Sequence, residues 1–233
     1  MYNIEDVVII VPSHEKELSP TEIISLSQLC SVLNMYDICF VVPEGLEPEY
    51  AHIDNINVSV ETFPREYFTS VGSYCSLCRT KRFYERFSAY KFMLIYQLDD
   101  FVFSDQLLDF CNLDFDYIGA PIPADIWKYT QQRVGNGGFS LRKIESMVNV
   151  LDNADYIAQV FNEEYGEDID EIMLLREDEY YAYCGQLDNI NFLLADEQTA
   201  IQFSVEYDTN DIYRKLNAHI PFGCHRWNNL KVE

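Results

Sequence analysis

Three short, unbroken apolar runs constrain this chain more than any other feature. They are residues 7–11 (VVIIV), 38–42 (ICFVV) and 92–96 (FMLIY). Successive side chains on a strand point to opposite faces, so an unbroken run puts apolar groups on both. Such a strand is stable only where both faces are covered, as in a parallel sheet flanked by helices. Pro12 and Pro43 end the first two runs, and Gln97-Leu98-Asp99-Asp100 ends the third. Between the first two, Ser19-Pro20-Thr21-Glu22 reads as a helix start. Ser19 is the N-cap, Pro20 takes the first helical position and Glu22 closes a capping box. Ile23, Leu26, Leu29 or Cys30, and Leu33 then recur at helical spacing. Residues 56–60 predict a third, shorter strand. The pattern is an α/β fold with a mainly parallel central sheet.

Downstream, the periodicity predicts a helix over 82–90 and an apolar continuation at 101–103. A short helix follows at 106–111, then a short strand at 117–121. A tight turn at 135–138 leads into a strand at 139–141 and a helix over 143–151. Residues 152–179 change character, with eleven acids against one base, Arg176. They read as an acidic helical excursion, an insertion over 152–187, solvated and open to a protein partner. Asp188 then opens an apolar helical run over 190–195, residues 201–205 read as a late strand, and 221–225 as a turn. No repeat or low-complexity linker interrupts the chain, so residues 1–233 read as a single domain.

Charge removes whole classes of function. Sixteen Lys and Arg against 39 Asp and Glu give a net charge of −23. Such a surface repels nucleic acid and anionic lipid. No apolar stretch reaches the ~18 residues that a membrane helix needs. The chain opens without a basic, apolar leader, so a cytoplasmic location is expected. Seven cysteines, an odd number at irregular spacing, read as reduced thiols, and Cys75-x-x-Cys78 lacks two further zinc ligands. The bases are uneven: Arg79, Lys81, Arg82, Arg86 and Lys91 fall close together. They suit an anionic ligand or, equally, a solvated helix face balancing acids such as Glu85.

Few residues are placed to do chemistry. Asp99 follows a buried strand, and ligands of open α/β sheets gather at the carboxyl ends of strands. Its carboxylate suits Mg²⁺ or Mn²⁺, or simply a turn. Asp100, its neighbour, is expected to point elsewhere. Gly135-Asn136-Gly137-Gly138 lets backbone approach a ligand closely, and the Asn136 amide suits sugar hydroxyls. A plain turn uses the same residues. Asp188 reads as an N-cap that can also serve as a base, and His225 as a structural histidine or a metal ligand. No Gly-x-Ser-x-Gly elbow occurs, so Ser13, His14 and Asp99 make no hydrolase triad.

Several blocks recur together in order: Tyr96-Gln97-Leu98-Asp99, Phe101-Val102-Phe103, Asp116-Tyr117-Ile118-Gly119-Ala120-Pro121, Gly135-Asn136-Gly137-Gly138-Phe139-Ser140-Leu141-Arg142 and Pro221-Phe222-Gly223-Cys224-His225. Together they resemble a bacterial glycosyltransferase family, formerly only a domain of unknown function, that is similar to GT-A nucleotide-sugar transferases. The resemblance spans residues 5–230 and is most specific in the middle. It implies a GT-A-like fold. It also implies that Gln97-Leu98-Asp99 stands for the Asp-x-Asp motif, with Asp99 kept as metal ligand and Gln97 in place of the first Asp. His225 would complete the metal site, with Mn²⁺ or Mg²⁺ as cofactor. Residues 135–138 would line the sugar pocket, and residues 11–14, Ser13 included, would form the first nucleotide-binding loop. Asp188 would be the base of an inverting enzyme, although Leu187 replaces the usual acid before it.

The expected activity is therefore transfer of a sugar, hexosyltransferase-like, from a nucleotide-diphosphate donor to an acceptor hydroxyl. The expected acceptor is a glycan or lipid-linked glycan of bacterial surface polysaccharide synthesis. Donor-binding candidates are Ser13, Arg79, Lys81, Arg82, Gln97, Asp99, Asn136, Gly137 and Gly138. Two rival readings use the same residues: a non-catalytic sugar- or partner-binding module, and a nucleotidyltransferase. The latter normally needs a second carboxylate where Gln97 stands.

Overall fold

The computed structural model describes residues 1–51, 56, 58–123, 126–131, 134–166, 172, 175–206, 216 and 219–229. The three apolar runs form β1 (Val7–Pro12), β2 (Asp37–Pro43) and, after β3 (Val58–Phe63), β4 (Phe92–Tyr96). With β6 (Tyr117–Gly119) and β7 (Phe139–Lys143) they build a six-stranded sheet of order β3-β2-β1-β4-β7-β6. The four strands from β3 to β4 are parallel, and β7 runs antiparallel to both neighbours. Alternation explains the unbroken runs. Val8, Ile10, Val41, Met93 and Ile95 enter the core on one face. Val7, Ile9, Phe40, Phe92 and Leu94 enter the core on the other. The Pro20–Val32 helix covers the second face, and its Ser19–Glu22 capping box forms as expected.

Several elements differ from the sequence expectation. β3 starts at Val58, and as the edge strand it fully buries Phe63 while most of the strand stays open. The helix expected over 82–90 is one short piece, Lys81–Glu85, capped by the Thr80 side chain. Beyond it the chain continues in tight turns, with Tyr90 anchored on Asp37 at 2.7 Å.

Residues 190–195 are not helical. Ile190, Phe192 and Leu194 are buried while Asn191 and Leu193 are exposed, a period of two. Asp116 holds this segment beside β6 by bonding the Leu193 N–H, and Leu194 bridges Tyr117 in parallel. Residues 197–203, partly read as strand, form the Glu197–Phe203 helix capped by Asp196. A second sheet follows, with β5 (Phe101–Val102), β8 (Ser204–Val205) and β9 (Gly223–Cys224) in the order β5-β9-β8. The turn expected at 221–225 therefore contains the central strand of this sheet.

The acidic excursion is only half peripheral. Its Ala154–Tyr165 helix ends at Gly166, whose φ of 65° is left-handed. Residues 167–171 and 173–174 lie outside the described ones. The Glu177–Cys184 helix is part of the core, with Tyr180, Tyr181, Ala182, Tyr183 and Cys184 buried. That half offers no solvated face to a partner. Among the described residues no helix is long and apolar enough to cross a membrane, and the seven cysteines are unpaired thiols.

Candidate active site

β4 delivers the polypeptide to the site. At its end, the Asp100 N–H bonds the Gln97 carbonyl and the Asp100 carboxylate accepts the Gln97 N–H, closing a tight turn. β5 begins one residue later and pairs with β9, Phe101 opposite Cys224. That register sets the residue before β5 beside the residue after β9. The His225 Nδ1 lies 2.6 Å from Asp100 Oδ1 and 3.7 Å from Asp99 Oδ1. Its Nε2 lies 3.9 Å from Glu206, just past β8. The Trp227 N–H bonds the Asp99 carbonyl at 3.0 Å, which fixes the turn from the other side.

Asp100 thus points at His225, against the sequence expectation. Burial raises the Asp100 carboxyl against the pull of His225. Burial lowers the His225 imidazole, but Asp100 outweighs it and leaves the ring raised. Asp100 is fully buried behind the ring, which itself faces the cleft. Asp99 is different, with 39% of its side chain exposed.

Asp99, Asp100 and His225 offer ligand atoms that all lie within 4.8 Å of one another. Carboxylate oxygens with an imidazole suit Mn²⁺ or Mg²⁺ better than a soft metal. Asp100, fully buried on the ring's Nδ1, is placed to orient the histidine, as outer partners of ligating histidines do.

This cluster opens into a cleft of about 680 Å³. Ser13, Gln97, Asp99, Asn136, Gly137, Gly138 and His225 all line it. Two glycines are there for space. A Cβ on Gly138 would overlap the His225 ring, and one on Gly137 would strike Glu177 Oε1. The Asn136 Oδ1 accepts the Gly138 N–H at 3.0 Å, which fixes the turn.

The other predicted residues do not reach the cleft. The Arg79 guanidinium donates to the Ile172 carbonyl, and Lys81 pairs with Asp152 at 2.6 Å. Arg82 is exposed, and Arg86 pairs with Glu61. Within the basic cluster, Lys81 and Arg86 therefore balance acids on a solvated face, while Arg79 is tied to backbone. Asp188 is an exposed turn residue and caps no helix, because residues 190–195 are extended.

Asp178, and not Asp188, lines the cleft. It sits in the first turn of the Glu177–Cys184 helix, buried and facing the cleft. Burial, then the Glu177 charge, push its carboxyl up to about 7. Its Oδ1 accepts the Glu179 N–H at 2.9 Å. The sequence signal was an acid pair opening a helix rich in tyrosine, hidden inside an acidic run. Arg176 and Arg226 also line the cleft. Arg226 has a left-handed φ of 55°, uncommon for a residue with a side chain and frequent at functional sites, and reaches Glu206 at 3.5 Å.

The family model described as "Protein of unknown function (DUF5672)" matches residues 57–225. No curated protein matches the sequence. The fold is similar to that of mouse xyloside xylosyltransferase 1 in its apo form, with TM-score 0.63 and 12% identity over 97% of this chain and 99% of that one. It is also similar to an active-site mutant of LgtC, with TM-score 0.57 and 15% identity over 96% of this chain and 88% of that one. A third similar structure is the glycosyltransferase GlyE of Streptococcus pneumoniae TIGR4, with TM-score 0.54 and 14% identity over 99% of this chain and 58% of that one. The architecture is that of GT-A glycosyltransferases.

Proposed function

The chain belongs to the DUF5672 family, and we propose that it is a glycosyltransferase that moves a sugar from a nucleotide-diphosphate donor to an acceptor hydroxyl. The observation that carries this reading is the Asp99–Asp100–His225 cluster at the carboxyl end of β4, opening into the glycine-lined cleft. Asp99 and His225 would hold Mn²⁺ or Mg²⁺, with Asp100 orienting the imidazole. A divalent ion held there would neutralise charge on the departing nucleoside diphosphate. Arg226 and Arg176 add positive charge to a cleft that carries many carboxylates. Gln97 and the Asn136 amide can bond donor hydroxyls, and Gly137 and Gly138 admit the sugar close to the backbone. Asp178 takes the acceptor's proton as the hydroxyl attacks. Its raised carboxyl suits a base working near neutral pH. A carboxylate available as base suits a single displacement with inversion. A hexose donor and a bacterial surface-glycan acceptor rest on the sequence resemblance.

The test is a panel of UDP- and GDP-sugars, read first by thermal shift with and without Mn²⁺. A ligand that binds only the native state raises the midpoint as RT ln(1 + [L]/Kd). Nucleoside diphosphate release is then measured with the sugar that binds. Metal-dependent binding followed by release supports the proposal. Binding without release favours a sugar-binding module, and release of sugar 1-phosphate in place of nucleoside diphosphate, with the nucleotidyl group transferred, favours a nucleotidyltransferase.

A further inference from the structure

Among the described residues Arg142 is the largest fully buried side chain, and it is charged. A lone buried guanidinium is costly unless its donors are satisfied. Here they are. Nε donates to Ser140 Oγ at 3.0 Å, Nη1 to the Tyr84 hydroxyl at 3.1 Å, and Nη2 to both the Gly137 carbonyl and Glu177 Oε1 at 3.1 Å. The guanidinium also lies over the Tyr117 ring, 5.2 Å from its centroid. Ser140 Oγ donates to the same Gly137 carbonyl at 3.0 Å.

The arrangement has a direction. Two donors hold the Gly137 carbonyl on the core side of its peptide. The N–H of Gly137 is turned to the Asp178 carboxylate. Arg142 also balances Glu177, the residue before Asp178, at the mouth of the same helix. A single guanidinium therefore links the glycine turn, which lines the cleft, to the helix end that presents the carboxylate. A purely structural ion pair would not need to hold a cleft-lining carbonyl as well.

We propose that Arg142 is a positioning residue for the transfer reaction: by fixing the Gly137 peptide and the Glu177 carboxylate together, it aims the Asp178 carboxylate at the acceptor hydroxyl. This rests on the reading of Asp178 as the base. The groups facing Asp178 are Glu177 and Arg176 from its own helix end and Tyr117 from β6. Arg142 from β7 and Cys75 from the Val71–Leu77 helix stand behind Glu177.

The experiment compares two variants with the parent, using the UDP- or GDP-sugar from the panel that gives most nucleoside diphosphate release. In Arg142→Met with Glu177→Leu, both charges leave together, so the fold is retained. The thermal midpoint stays near the parent's, donor KM holds, and kcat falls by about 10- to 100-fold, the scale of a misaimed catalytic group. In Arg142→Lys the charge stays, but one ammonium cannot serve Ser140, Tyr84, Gly137 and Glu177 at once. There kcat falls with KM held, and the acid limb of the kcat profile moves to higher pH as Asp178 loses the Gly137 N–H.

A folded variant of either kind with the parent's kcat and pH profile overturns the assignment. So does failure of both to fold, since the guanidinium would then serve the fold. Failure of the underlying reading looks different: the parent releases no nucleoside diphosphate from any sugar, or Asp178→Asn retains full turnover.

Discussion

Asp178 and Asp99 are both carboxylates on one cleft, the first buried and the second part-exposed. Asp178 is raised to about 7 by desolvation and the Glu177 charge. Between the ordinary Asp value near ~4 and this value, the native state binds more protons than the unfolded chain. Stability on this account falls as pH rises through that window and is lost in full above it. Asp178→Asn removes the slope. Urea unfolding should show the variant more stable than the parent at pH 8 and little changed at pH 4. The same variant should lower turnover by ~10²- to 10⁴-fold with donor affinity held. Asp99→Ala, at a half-open position, should leave the thermal midpoint unchanged and abolish Mn²⁺-dependent donor binding by calorimetry. Asp99 and His225 were legible as candidates, Asp99 from a strand end and His225 chiefly from the resemblance, and the fold brings them together. Asp178 was not, because it is one acid among eleven between 152 and 179 and only burial distinguishes it.

Among the elements, the strands buried on both faces were the legible ones. β1, β2 and β4 write themselves as unbroken apolar runs. β8 and β9, two residues each, leave no periodic trace. Residues 190–195 misled for a related reason, since Ile190, Phe192 and Leu194 also satisfy a loosely apolar helix until alternation is counted. The basic cluster gave a local charge but no direction, and the Lys81–Glu85 helix turns it towards Asp152 and solvent. Lys81→Ala and Arg82→Ala should therefore leave donor affinity unchanged at both low and high salt. The 135–138 turn should be far less tolerant. Gly138→Ala must displace the His225 ring, so its donor binding should lose dependence on Mn²⁺ while far-ultraviolet circular dichroism stays that of the parent.

At the scale of the whole molecule, a net charge of −23 opposes both compaction and the approach of an anionic donor. Salt screens that repulsion within about 10 Å at 0.1 M. The thermal midpoint should rise from low to moderate NaCl, and donor affinity at fixed Mn²⁺ should rise or hold. A falling affinity would mean that local attraction by Arg176 and Arg226 outweighs the global field. The second sheet adds a matter of timing. β5 carries Asp100 at its entrance and β9 delivers His225 at its exit, 125 positions later. A ribosome therefore releases the carboxylate half of the centre long before the imidazole half exists. Until β9 docks, the nascent chain holds a buried-to-be acid without its cation and a strand edge without its neighbour, which is the state a chaperone would recognise. The candidate centre is completed last, with the closing strand, so under the proposed function a newly made copy would not act before β9 has docked.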